Sequence, residues 1–246
     1  MSYFACVRVR FVRLLALLVF ILSIGNAVQA QSAIALVQQN GKDAGTTTAT
    51  SLSFTSPNTA GNWIAVSIRA GFSSSQVFSI HDSNGNAYQR AAQVGFSASA
   101  VTLAIFYAEN IRGGANTIAI SDTVSAPLRV AILEFSGVAL SNSLDAAVAG
   151  TGTGSSPGTP SLTTTADGDL LLSAIATTNP ATFAPDAGYA ISAYVPAEPN
   201  TKLIAEEQIQ SAAGPASASA SINSSDSWGA VLVAVKQAAQ LQPLQR

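Results

Sequence analysis

Short segments that alternate in polarity or run continuously apolar, rich in Val, Ile, Thr, Phe and Ser, recur along this chain about every 8–15 residues, each closed by Gly, Asn, Asp or Pro. No segment beyond residue 30 holds a 3.6-residue apolar period between helix caps. The pattern excludes a helical core and predicts an all-β fold: an antiparallel β-sandwich of jelly-roll type. Strands are expected near 32–38, 51–55, 63–70, 76–81, 87–93, 100–108, 116–121 and 128–136. A second set is expected near 143–148, 160–165, 169–177, 188–195, 202–210, 216–222 and 228–236. Alanine favours helices, yet Ser217–Ile222 alternates Ser with Ala at period two, which places small side chains inward in a closely packed layer.

The first 30 residues read differently. Arg8, Arg10 and Arg13 precede an apolar run from Leu14 to Ile24, and Val28 and Ala30 are the small residues that a signal peptidase reads. The run is shorter than the ~20 residues a bilayer requires. Residues 1–30 are therefore expected to be a secretory signal peptide cleaved near Ala30, leaving a secreted or periplasmic protein. Cleavage removes Cys6 and Met1, the only Cys and the only Met. The mature chain can then hold no disulfide, thiolate metal site or thiol nucleophile. The whole chain carries a net charge of −2, and losing three arginines makes it more acidic. That balance argues against nucleic acid and anionic membranes as partners, and with no later run of 18 apolar residues no membrane insertion is expected after cleavage.

The remainder reads as a single β-sandwich domain over 31–236, built from two similar halves, 31–149 and 159–236. Gly61–Val66 resembles Gly168–Ser173, Ile111–Gly114 lies opposite Ile209–Ala212, and each half closes on an apolar strand, Leu128–Phe135 and Trp228–Val235. Gly150–Gly158 between them is expected to be a flexible Gly/Ser/Thr linker, and 237–246 a disordered tail.

One run of features occurs in a set order: Gly61–Asn62–Trp63, Asp82–Tyr88, Tyr107–Ile111 with Gly113–Thr117, and Glu134–Gly137. In this it resembles a group of bacterial secreted β-sandwich modules found alone or beside immunoglobulin-like and fibronectin-like repeats. The resemblance spans most of 34–236 and is strongest over 61–137. It implies a fold and an extracellular location, without a particular chemistry.

Candidate functional residues are few. Gly154–Gly158 matches a nucleophile-elbow string at Ser156, but Pro157 has no N–H to offer an oxyanion and the surroundings are a linker. His81 is the only His, which excludes a metal site with two or more His ligands. If Asn84–Gly85 centres a type I′ hairpin, Asp82 pairs with Ala87, His81 with Tyr88 and Ser79 with Arg90, so that His81, Tyr88, Ser79 and Arg90 share a face. Asp82, Asn84 and Asn86 place oxygens at alternate positions, as in the start of a calcium loop, although Ala92–Gln93 stands where a bidentate Glu belongs. Calcium is thus the only cofactor in view, and turn chemistry explains the same residues. Trp63 alternates onto a face with Ser67 and Arg69, a flat ring beside polar groups that could stack on a sugar. Glu109, Glu134, Glu206 and Glu207 are the carboxylates from which a glycosidase pair could be drawn.

The leading expectation is a secreted, non-catalytic binding or adhesion module that recognises an extracellular polymer or cell-surface ligand, carbohydrate included. Its ligand-contact residues would be Trp63, Arg69, His81, Tyr88 and Arg90. The alternatives are a carboxylate-based glycoside hydrolase or lyase and a structural surface or assembly protein. Without Cys, and with a single His, most hydrolase triads and redox chemistry are out of reach.

Overall fold

The computed structural model describes residues 33–74, 76–96 and 100–239, so the signal-peptide assignment lies outside the described residues. No helix occurs among them, and every ladder is antiparallel. The first half supplies β1 (Ala35–Ser53), β2 (Trp63–Gly71), β3 (Phe78–Asp82), β4 (Gln89–Phe96), β5 (Val101–Ala108) and β6 (Thr117–Ser136). They form one sheet in the order β1-β6-β2-β5-β4, with β3 added on β6. The second half supplies β7 (Leu144–Gly154), β8 (Leu162–Thr163), β9 (Leu170–Thr177), β10 (Phe183–Pro185) and β11 (Ala190–Val195). It continues with β12 (Leu203–Ile209), β13 (Pro215–Ala216), β14 (Ala220–Ile222) and β15 (Asp226–Val235). Its main sheet runs β11-β12-β9-β15-β7, and β10–β14 and β8–β13 are small two-stranded pieces.

The all-β antiparallel sandwich is as expected, but its connections are not those of a jelly roll. A jelly roll sends the chain back and forth between its sheets, whereas here one sheet is finished before the other begins. The two orders are the same order: β1, β6, β2, β5 and β4 correspond to β7, β15, β9, β12 and β11. The sheets stack so that β1 lies over β11 and β4 over β7, which sets the two halves in opposite senses. The sequence repeat follows this topology. Trp63 and Leu170 begin equivalent strands, and Gly61 and Gly168 precede them in the same left-handed conformation, φ 85° and 78°. Both glycine N–H groups donate to equivalent carbonyls, of Ile111 and of Gln210.

Four of the expected boundaries are corrected. The segments 32–38 and 51–55 are two ends of the bent β1, whose register shifts after Asp43 and after Thr47. Likewise 116–121 and 128–136 are one strand, β6. Pro127 sits in the gap between its pairing with β3 and its pairing with β2, where a missing N–H breaks neither ladder. The predicted linker is half strand: Gly150–Gly154 ends β7 and pairs with β15. Gly152 stands there because an added Cβ would lie 2.4 Å from the ring of Trp228, its cross-strand partner. Of the residues predicted as a disordered tail, Gln237 bridges Val138 and Ala238 is buried, and 240–246 lie outside the described residues.

The core has layers on both faces of each sheet. Between the sheets, Trp63, Leu103, Leu133 and Phe135 meet Leu172, Leu203, Val231 and Val233, with many alanines that let the sheets approach closely. On the outer side of the first sheet, Leu52, Phe78, Ile80, Ile118 and Ile120 fold back over Ile64, Val66, Ile68 and Val130. On the outer side of the second, Phe183, Ile222, Leu162 and Tyr189 cover Ile175, Ile204, Leu171 and Leu232. The Ser217–Ile222 alternation belongs to this cover, with Ala218, Ala220 and Ile222 inward. Strands β2, β5 and β9 are therefore buried on both faces, as their continuous apolar runs require.

Candidate functional site

The outward-curling ends of β1, β6 and β3 form a small sheet of their own. Ala49, Ser121 and Ser79 lie in one row across it, and Ser51, Ala119 and His81 in the next. These side chains face solvent, while Leu52, Ile80, Ile118 and Ile120 on the reverse face are anchored in the outer core. With Lys42 and Ala44 from earlier in β1, the face encloses an open groove of about 670 Å³. Its lining of hydroxyls, alanines, one imidazole and one ammonium can exchange hydrogen bonds with a polar ligand. The sheet edge on this side is closed: the Asn40 amide donates to the Ser53 carbonyl at 2.8 Å and Lys42 Nζ to the Ser51 carbonyl at 3.0 Å.

Ser79 Oγ lies 3.0 Å from His81 Nε2. A Ser–His contact is the first step toward a nucleophile, but the imidazole must be oriented by a third group and the oxyanion needs donors. Among the described residues, no carboxylate hydrogen-bonds to the other nitrogen of His81. The Ser79–His81 contact therefore stands without a carboxylate to orient the imidazole among the described residues.

The other expected contact residues do not join His81. Trp63 is 1% exposed; its ring stacks on Tyr107 at 5.7 Å and its Nε1 donates to Ser143 Oγ at 3.1 Å. It offers no platform to a sugar, because the face it alternates onto is the interface between the sheets. Arg69 is buried on that interface, where its Nε donates to the Thr177 carbonyl of β9 at 2.9 Å. Burial, reinforced by Arg129, lowers it to about 10. Both residues are corrected from ligand contacts to ties between the sheets. Arg90 is exposed, and its Nη1 donates to Gln93 Oε1 at 3.3 Å.

The hairpin through Asn84–Gly85 is also corrected. β3 pairs with β6 and β4 with β5, so His81 faces Ala119, and Tyr88 is not its cross-strand partner. Asp82, Asn84, Asn86 and Tyr88 do come together, around Asp82 as acceptor. Its carboxylate receives Asn84 N at 3.2 Å, Asn86 N at 2.9 Å, Asn86 Nδ2 at 2.7 Å, Tyr88 OH at 3.0 Å and Asn116 Nδ2 at 2.9 Å. Burial acts to raise Asp82, but these bonds outweigh it and hold the carboxyl below its usual range. Burial, then the Asp82 charge, pushes Tyr88 upward. The expected calcium loop does not fit a cation: its carboxylate lone pairs already accept N–H and O–H groups, and Arg112 Nη1 lies 3.2 Å from the Asn84 carbonyl oxygen.

The carboxylates are engaged separately. Glu134, fully buried, accepts from Gln38 Nε2 and Asn58 Nδ2 at 2.6 Å, Asn62 Nδ2 at 2.7 Å and Thr59 N at 2.9 Å. It fastens β1 and the 58–62 loop to β6. Glu109 clamps Ser143 through its N and Oγ at 2.9 and 2.7 Å. Glu206 and Glu207 point to opposite faces of β12, and neither oxygen of the buried Glu206 has a hydrogen-bond partner. Burial raises it to about 8.

Two features were not anticipated from the sequence. A second groove of about 480 Å³ runs along the seam of β1 and β11, lined by Gln39, Asn40, Asp43, Ser192 and the exposed Tyr194. Asp145, Asp169, Thr165 and Lys236 also meet at one end of the second sheet. The pairing of sequence-distant strands creates both, and no local motif announces either. Comparison with protein-family models, with curated proteins and with solved structures returns no match, so the reading of these sites rests on their own geometry.

Proposed function

We propose that this chain is a secreted, non-catalytic binding or adhesion module whose groove on β1, β3 and β6 takes an extracellular polar ligand, carbohydrate first among them. The groove carries the reading: an open face of hydroxyls with His81 and Lys42, on a small sheet anchored from behind by the core. Rigid backing lowers the ordering cost of binding. The fixed hydrogen-bond duties of Glu109 and Glu134 speak against a carboxylate pair acting on a sugar.

The test is a screen of glycans, polysaccharides and cell surfaces for binding, with His81→Ala and Lys42→Ala as paired variants. A hit weakened about tenfold or more by either substitution supports the reading. Absence of any binding removes it. A hit that depends instead on Tyr194 keeps carbohydrate recognition and moves it to the seam groove, where the ring is free to stack. The Ser79–His81 contact motivates one competing reading, a hydrolase; ester turnover abolished by Ser79→Ala would replace the binding reading with it.

A further inference from the structure

Three adjacent strands of the second sheet bring Lys236, Asp145 and Asp169 to one end of that sheet. Val235 of β15 pairs with Leu144 of β7 on one side and with Leu170 of β9 on the other. Lys236, Asp145 and Asp169, each next in sequence to one of these, therefore meet. Lys236 Nζ is 3.3 Å from Asp145 Oδ1, and the Asp145 side chain is only 3% exposed. Thr165 donates its N–H to one Asp145 oxygen and its hydroxyl to the other, both at 2.5 Å. Asp169 is fully buried, and among the described residues no N–H or O–H group donates to either of its oxygens. Beside another carboxyl, such a group is satisfied only by a proton held between the two.

We propose that Lys236 and Asp145 become joined by an intramolecular amide bond, which the folded chain forms itself with Asp169 as proton donor and acceptor. Asp169 is suited to the part because burial, followed by the Asp145 charge, raises it to about 7. Burial pushes Asp145 up too, but Thr165 and Lys236 hold it below its usual range, so the shared proton rests on Asp169. The side chain of Lys236 is 36% exposed, so solvent reaches its amine.

The neutral amine adds to Cγ of Asp145. A C–N bond forms as the C=O π bond opens, one oxygen takes the Asp169 proton, and the Thr165 donors hold the other. Asp169 then takes a proton from the nitrogen and passes it to the new hydroxyl. The C–O bond breaks and water leaves. Solvent returns to Asp169 the proton shed by the ammonium. The sum is one ammonium and one carboxylate converted to one amide and one water, with no redox change and no co-reactant. The product ties the edge strand β7 to β15 in a chain whose only Cys is Cys6.

The proposal is independent of the binding reading. The purified protein, unfolded and digested with protease, is expected to yield a branched peptide joining Lys236 to Asp145, lighter by one water than its two arms. Lys236→Arg and Asp169→Asn are expected to release the two arms separately. Separate arms from the unaltered chain overturn the proposal, and that result needs no variant to fold. A branched peptide that persists in Asp169→Asn overturns the part assigned to Asp169.

Discussion

Glu134 and Glu206 are both shut off from solvent, and they illustrate two ways of burying a carboxyl. Four donors hydrogen-bond to Glu134, whereas among the described residues neither oxygen of Glu206 completes a hydrogen bond. In Glu134→Gln one acceptor oxygen becomes an NH₂ group aimed at other donors, so buried amides lose partners. We expect a loss of about 3 kcal/mol in urea unfolding. Glu206→Gln should behave in the opposite way. The folded state holds the Glu206 proton up to about pH 8, whereas the unfolded chain releases it near 4.3. The resulting stability is fully present below the lower value and is lost as pH rises through the upper one. Thermal unfolding between pH 4 and 9 is expected to show this decline in the parent chain and a visibly flatter profile in Glu206→Gln.

At the scale of elements, the Gly/Thr segment at the end of β7 shows why composition misleads. Gly150–Gly154 has the residues of a linker, yet its backbone completes the ladder with β15 and the missing Cβ of Gly152 makes room for Trp228. Gly152→Val should cost about 1–3 kcal/mol by forcing the indole off its seat, a shift readable in Trp228 fluorescence and in melting temperature. Amides of Gly150 and Gly152, which face Ala230 and Trp228 of β15, should exchange as slowly as those of a paired strand, whereas a linker would exchange at once. The failed hairpin at Asn84–Gly85 has the same origin. Its turn residues are genuine, but β3 gains more by covering the outer core with Phe78 and Ile80 than by pairing with its neighbour in sequence.

For the whole molecule, the decisive fact is that each half makes one sheet and neither sheet can be left uncovered. The inner face of the first sheet carries Trp63, Leu103 and Leu133, and only the second sheet removes them from water. Unfolding should therefore be cooperative across both halves. Trp63→Phe and Trp228→Phe leave one indole each, reporting on the second and first sheets respectively. Their denaturation midpoints, each measured by fluorescence and by far-UV circular dichroism, are expected to coincide within each variant; separate transitions would mean two independent units.

Much of the fold can be read from the sequence alone, because period-two alternation and turn residues are local properties. Strands such as 169–177 and 228–236 fall within one or two residues of β9 and β15, and the Gly61/Gly168 repeat marks equivalent strand starts. The face of a strand is not local when both faces are buried. Trp63 and Arg69 look like a polar, ligand-facing row until the second sheet closes over them. Which strands pair, and so which groove surrounds His81 and which carboxyls flank Lys236, depends on contacts between residues far apart in sequence. Those contacts exist only once the chain has paid the entropy of closing its long loops, so the tertiary structure alone decided the sites while the sequence determined the strands.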